Sequence, residues 1–194
     1  MDNDVFIILL GVQEYDKIGI ISNNRWEWAT IAAVTFSLNC TLVPMYEAQL
    51  PSGWSYILND SGCTTLFCAT RDIFDRVQEQ VLPQLPSVRT TLCLDSNNDE
   101  PFAFDTHMQA EELSSCSNNK SLIIEPTADD LANLVYTSGT TGKPKGVELT
   151  HANTVSNVKG VGHQVEDVHD FIRQSDRSLA FLPWAHSYGQ TCEL

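Results

Sequence analysis

The apolar positions fall into short runs separated by polar and glycine-rich breaks, and the period changes from run to run. Residues 17–22 (KIGIIS) are compact and β-branched and predict a strand. Residues 25–38 then carry Trp26, Trp28, Ala29, Ile31, Ala32, Ala33, Val34 and Phe36, apolar on nearly every side, which predicts a buried helix. Asn24 stands at its N-cap position and Glu27 at the capping-box position. Residues 41–46 (TLVPMY) are the next strand. Pro51 opens a helix with Trp54, Ile57 and Leu58 on one side and Gly62 as its stop. Residues 64–69 (TTLFCA) predict a strand, and residues 72–82 a helix with Ile73, Val77 and Val81 in one stripe, ended by Pro83. Residues 88–94 predict a further strand. Strands alternating with helices in this way predict an α/β fold with a mostly parallel sheet flanked by helices. The run at 5–10, closed by Gly11, reads as the end of a longer helix that the sequence enters part-way.

Residues 95–130 break the alternation. They hold nine acidic residues against Lys120 alone and are rich in Ser and Asn. This predicts a solvated surface connection, with one short helix near residues 108–113. The pattern then resumes. Residues 131–136 predict a buried strand, residues 147–150 a second β-leaning run, and Thr150 caps a helix over about residues 151–161. Residues 177–182 (RSLAFL) predict a strand that runs into Pro183-Trp184-Ala185-His186-Ser187-Tyr188-Gly189.

Between the two runs at 131–136 and 147–150 lies a loop built for an anion. Thr137, Ser138, Gly139, Thr140, Thr141 and Gly142 have little side-chain bulk, so their backbone N–H groups can approach a phosphate closely. The hydroxyls of Thr137, Ser138, Thr140 and Thr141 add donors, and Thr137 can also reach a metal ion. Lys143 and Lys145 supply positive charge, and Pro144 stiffens the exit. The Walker loop is excluded by spacing: Gly139 lies too near the Gly142–Lys143 pair, and Pro144 occupies the place of the metal-binding Ser or Thr. A simple hairpin turn needs roughly two to five residues, fewer than this run of small and hydroxylic residues.

Composition narrows the partners. The net charge of −14 argues against nucleic acid, and makes Lys143 and Lys145 a local exception that an anion would need. The six cysteines show no CxxC pairing and sit mostly in apolar runs, as reduced buried thiols do. The apolar run at 5–10 follows an acidic start and is too short for a signal peptide or for a span of about 20 residues. The expected location is cytoplasmic, extending to peripheral association at the cytosolic face of a membrane.

The segment YTSGTTGKPKG resembles the signature loop of the adenylate-forming superfamily, which includes acyl-CoA synthetases, luciferases and peptide-synthetase adenylation domains. KIGIISNNRWEW, TLVPMYEAQLPSGWSYILNDSG and FLPWAHSYGQ are similar to the long-chain fatty acyl-CoA synthetase branch. The resemblance implies that residues 1–194 are part of the large AMP-binding domain of that fold. On that resemblance the small C-terminal domain is expected to be absent from these residues. So are the downstream motifs that carry the Mg²⁺ carboxylate and the ribose-binding Asp. It further implies two steps: a fatty carboxylate attacks ATP to give acyl-adenylate and pyrophosphate, and the thiol of coenzyme A then displaces AMP. Residues 137–142 would wrap the β- and γ-phosphates, with Thr137 on Mg²⁺ and Lys145, the position the motif specifies, paired to the phosphates. Lys143 falls at a variable motif position. His186 matches the motif histidine near the adenylate and the acyl tunnel, and Trp184 departs from the usual small or aliphatic residue there. With motifs missing, the chain alone is expected to be inactive. Two alternatives stay open: a truncated, non-catalytic nucleotide-phosphate-binding module, and an adenylating ligase for another carboxylic acid.

Overall fold

The computed structural model describes residues 11–96, 100–104, 124–137, 142–164, 177 and 179–193. The expected helix at 5–10, the short helix at 108–113 and loop residues Ser138, Gly139, Thr140 and Thr141 lie outside the described residues, as does most of the 95–130 connection.

Six strands form one sheet: β1 (Lys17–Ile21), β2 (Thr41–Met45), β3 (Thr65–Cys68), β4 (Thr90–Cys93), β5 (Leu131–Thr137) and β6 (Lys145–Thr150). Their order is β4-β3-β1-β2-β5-β6. All neighbours are parallel except β5 and β6, which pair antiparallel. The helices are α1 (Trp26–Ser37), α2 (Pro51–Ser61), α3 (Arg71–Gln80), α4 (His151–Gln164) and α5 (Ser187–Glu193), with a 3₁₀ turn at Leu82–Gln84. The predicted alternation is therefore the observed one, and the sheet is mostly parallel with helices on both faces.

The period of two along each strand sorts the core into two layers. Ile18, Ile20, Leu42, Phe67 and Leu92 point to the face covered by α1, where Trp28, Ile31 and Val34 meet them. Ile21, Val43, Met45, Leu66, Cys68 and Cys93 point to the other face, against Trp54, Ile57 and Leu58 of α2 and Ile73, Phe74 and Val77 of α3. Cys40, Cys63, Cys68 and Cys93 are free and buried, and burial pushes the Cys63 thiol up to about 12. A thiol so disfavoured as thiolate is inert packing material.

Local chemistry sets the ends of three helices, those at Pro51–Gly62 and at Thr150 as expected. Pro51 occupies the first turn of α2, and Gly62 ends it. Ile73 N–H donates to the Thr70 hydroxyl at 3.3 Å, capping α3. Thr150 and Asn153 bond reciprocally at the start of α4, at 3.0 and 3.3 Å.

Two expectations fail. Asn24 does not cap α1. The N-cap is Arg25, in extended conformation with no side-chain cap bond. Glu27 instead takes both arms of the Arg25 guanidinium at 2.7 Å. Arg25 also donates to the Ala69 carbonyl at 3.1 Å and to Asp95 at 3.0 Å, so one cation ties the β1–α1 turn to the ends of β3 and β4. The hydrogen bond from Arg25 holds the Glu27 carboxyl below the usual range. The second failure is the strand at 177–182. Residues 177 and 179–182 pair with no strand, and Leu179 and Phe181 are exposed. The carbonyls of Ala180 and Leu182 accept from the Asn24 side chain, which takes the place of a ladder.

Candidate functional site

β5 is buried from Ala132 to Tyr136 and emerges at Thr137. The hairpin ladder pairs Tyr136 with Gly146 and Thr137 with Lys145. The Thr137–Lys145 rung is the last of the ladder on the loop side, with a hydroxyl on one strand and an ammonium on the other. Gly142 adopts φ +89°, the left-handed region that glycine enters without strain. Lys143 and Lys145 are exposed, and neither makes an ion pair among the described residues. The loop leaves the carboxyl end of β5, and β1 to β4 end on the same side. That edge is where open α/β sheets bind ligands.

The base of the loop is fixed by Tyr136. Its hydroxyl donates to Asp60 of α2 at 2.7 Å. Burial and the neighbouring carboxylate hold the phenol well above its ordinary pKa, so it stays a donor. The ring lies against Gly146: a Cβ there would stand 3.2 Å from Tyr136 Cζ and 3.0 Å from Leu134 Cδ1. A side chain at 146 would force Leu134, the Tyr136 ring or the hairpin to give by a few tenths of an ångström.

His186 lies in a turn before α5 and is exposed. Its Nδ1 accepts from the Tyr188 N–H at 3.2 Å, so a neutral ring carries its proton on Nε2. With Tyr46, Leu182, Pro183, Tyr188 and Gly189 it lines a largely apolar cleft of about 320 Å³. Trp184 turns away from that cleft and packs edge-on against Trp28, 5.6 Å between ring centres. The β2–β5 register is Leu42↔Asn133, and Tyr46 and Thr137 stand equally far beyond that pair. The cleft and the loop thus open at the carboxyl ends of adjacent strands. That register is the whole β2–β5 ladder, in keeping with Pro44, which has no N–H to give it.

Sequence reasoning missed Asp60, Tyr46, Asn23, Asn24 and Glu47 at this edge. The pair of amides just beyond β1 and Ser22 was the available signal, but a capping role accounted for one of them. Among the described residues no group of three or more Asp, Glu, His or Cys side chains could hold a metal ion. Thr137 offers one neutral hydroxyl at the loop's root, which fits a metal held chiefly by phosphate oxygens and does not by itself make a metal site.

The AMP-binding enzyme family model matches residues 5–194. The chain is 32% identical over 180 residues to long-chain-fatty-acid–CoA ligase FadD15 of Mycobacterium tuberculosis, covering 93% of this chain and 29% of that protein. It is 30% identical over 185 residues to long-chain-fatty-acid–CoA ligase 6 of Homo sapiens, covering 88% and 25%. The chain thus spans under a third of the length of these relatives. The crystal structure of the N-terminal domain of FACL13 from Mycobacterium tuberculosis superposes with a TM-score of 0.76 at 24% identity, covering 97% of this chain and 43% of that one. That likeness establishes the fold, the sheet and flanking helices of an adenylate-forming N-terminal domain. The strand alternation, the hairpin with its hydroxylic loop and the family match over nearly the whole chain lead to one statement: this chain belongs to the AMP-binding enzyme family.

Proposed function

We propose that the protein takes part in ATP-dependent activation of a long-chain fatty acid, first to the acyl-adenylate and then to the coenzyme A thioester. Residues 1–194 then contribute the phosphate grip and one end of the acyl cleft of a large nucleotide-binding domain, with 95–130 a connection on its surface. The observation that carries this reading is the β5–β6 hairpin, which carries the loop from a Thr137–Lys145 rung with both lysine heads exposed. The names of the relatives supply the acyl class.

The chemistry asks for charge management and little else. A fatty carboxylate, with a pKa of about 4 to 5 by analogy with Glu, is already ionised at neutral pH and needs no base. It must approach a polyanion, and negative charge grows on the departing pyrophosphate. The loop amides, the hydroxyls of Thr137, Ser138, Thr140 and Thr141 and the ammonium of Lys145 meet that charge with fixed donors. Lys143 adds to the local potential. Mg²⁺, when bound, neutralises phosphate charge, and Thr137 is the residue here that would touch it. His186 presents Nε2–H beside the apolar cleft, where an acyl carboxyl group would lie.

The test is fatty-acid-dependent exchange of labelled pyrophosphate into ATP by a purified full-length version of the protein. Lys145→Ala is expected to slow it about 100-fold, the loss that follows removal of one donor to a developing charge. Unchanged exchange in that variant removes Lys145 from the site. Exchange with amino or aryl acids but not fatty acids points to another adenylating ligase. A second reading is phosphate binding without turnover. Pyrophosphate binding without any exchange would support it.

A further inference from the structure

Asn23 and Asn24 follow β1 after Ser22, and each reaches a different wall of the His186 cleft. Asn24 Nδ2 donates to the Leu182 carbonyl at 2.8 Å and the Ala180 carbonyl at 3.3 Å, while its Oδ1 accepts from the Trp184 N–H at 2.9 Å. One amide therefore reads three backbone groups of a segment that, at its described positions, has no strand partner. Among side chains of this length only an amide offers two donors and an acceptor together. Asn23 serves the opposite wall. Its N–H and Nδ2 donate to Glu47 at 2.8 and 2.5 Å, and Glu47 directly follows Tyr46, which lines the cleft.

The far end of the segment is held separately. Gln190 Nε2 donates to the Trp184 carbonyl at 2.7 Å, and Asn157 of α4 donates to Thr191 of α5 at 3.0 Å. Leu182, Pro183 and His186 are thus hung between α5 on one side and Asn24 on the other. The Asn23–Asn24 peptide is short and rigid, so the spacing between its two side chains becomes the spacing between Tyr46 and Leu182–Pro183.

We propose that Asn23 and Asn24 are positioning residues that set the width of the apolar cleft, and with it the acyl groups admitted. The acyl half of this inference rests on the proposed function; the clamp itself does not. Asn24 is half-buried and Asn23 exposed, so substitution leaves the core packing untouched.

The experiment has two readouts on the same purified full-length version of the protein, unmodified and as Asn24→Ala, Asn24→Asp and Asn23→Ala. The first is amide hydrogen exchange at Trp184 and its neighbours. Asn24→Ala is expected to raise exchange there about tenfold, the loss of roughly one well-made hydrogen bond. Asn24→Asp is expected to do at least as much, because a carboxylate would face two carbonyls without a donor. Retained protection in both variants overturns the clamp. The second readout is pyrophosphate exchange over a series of fatty-acid chain lengths. Asn24→Ala and Asn23→Ala are expected to raise the fatty-acid KM and broaden the accepted lengths, with the KM for ATP unchanged. A parallel rise in both KM values overturns the positioning role. Lost protection at Trp184 with no exchange by the unmodified protein upholds the clamp and overturns the fatty-acid reading.

Discussion

β1 and β6 belong to one sheet and are built by different rules. In β1, Ile18, Ile20 and Ile21 are wholly buried, because α1 covers one face and α2 and α3 the other. In β6, residues 145–148 are exposed, and the strand is held chiefly by its ladder to β5. The first arrangement gains from apolar area removed from water on both sides. The second leaves backbone and lysine heads facing solvent, which is what an anion must find. The sheet's interior therefore carries stability, and the proposed chemistry falls at its hairpin edge. Tyr136 is the joint between them: it is buried with the interior and supports the loop's last rung.

The contrast can be broken most sharply at Trp54, which is fully buried between α2 and the sheet. Trp54→Ala is expected to lower stability by about 3–5 kcal/mol in urea unfolding. Lys145→Ala at the exposed edge is expected to shift the same curve by less than about 0.5 kcal/mol. Equal effects at the two sites would erase the distinction.

Next in size is Gly146→Ala. The new Cβ meets Leu134 and the Tyr136 ring, for an expected cost of about 1–3 kcal/mol. Because the rung is displaced, pyrophosphate affinity should fall with it. A variant of unchanged stability would show that the hairpin yields freely and is not held by Tyr136.

A smaller effect than at Gly146 is expected at Tyr136→Phe, about 1 kcal/mol for a hydrogen bond to an exposed carboxylate. It carries a pH signature. The folded phenol is held above its ordinary value of about 10 by burial and by Asp60, so the unfolded chain loses that proton first. Its contribution is present below pH 10 and is lost as pH rises beyond it. Urea midpoints from pH 8 to 11 should fall less steeply in Tyr136→Phe than in the unmodified protein. Identical slopes would mean that the bond to Asp60 does not form in solution.

The fold was legible because local pattern and tertiary packing agree in the doubly covered half. Trp54, Ile57 and Leu58, or Ile73, Val77 and Val81, could face only one way once their elements formed. The loop was legible in its residue types, since few contexts ask for glycines, hydroxyls and lysines together. What escaped was long-range and polar. Asn24 has the composition of a cap, and nothing local reveals that its partners lie at 180, 182 and 184. Asp60 reads as an exposed helix residue until the hairpin brings Tyr136 to it. The run at 177–182 has strand composition, but strand composition without a neighbouring edge gives no ladder.

The central claim is that the coil between Thr137 and Lys145 grips a polyphosphate. The most direct measurement follows backbone amide shifts as Mg²⁺–pyrophosphate is titrated into the protein and into Lys145→Ala. The account predicts saturable shifts confined to residues 137–146, competed by ATP but not by adenosine, and weakened in the variant. Shifts absent from that stretch, or equal affinity in the two proteins, would contradict it.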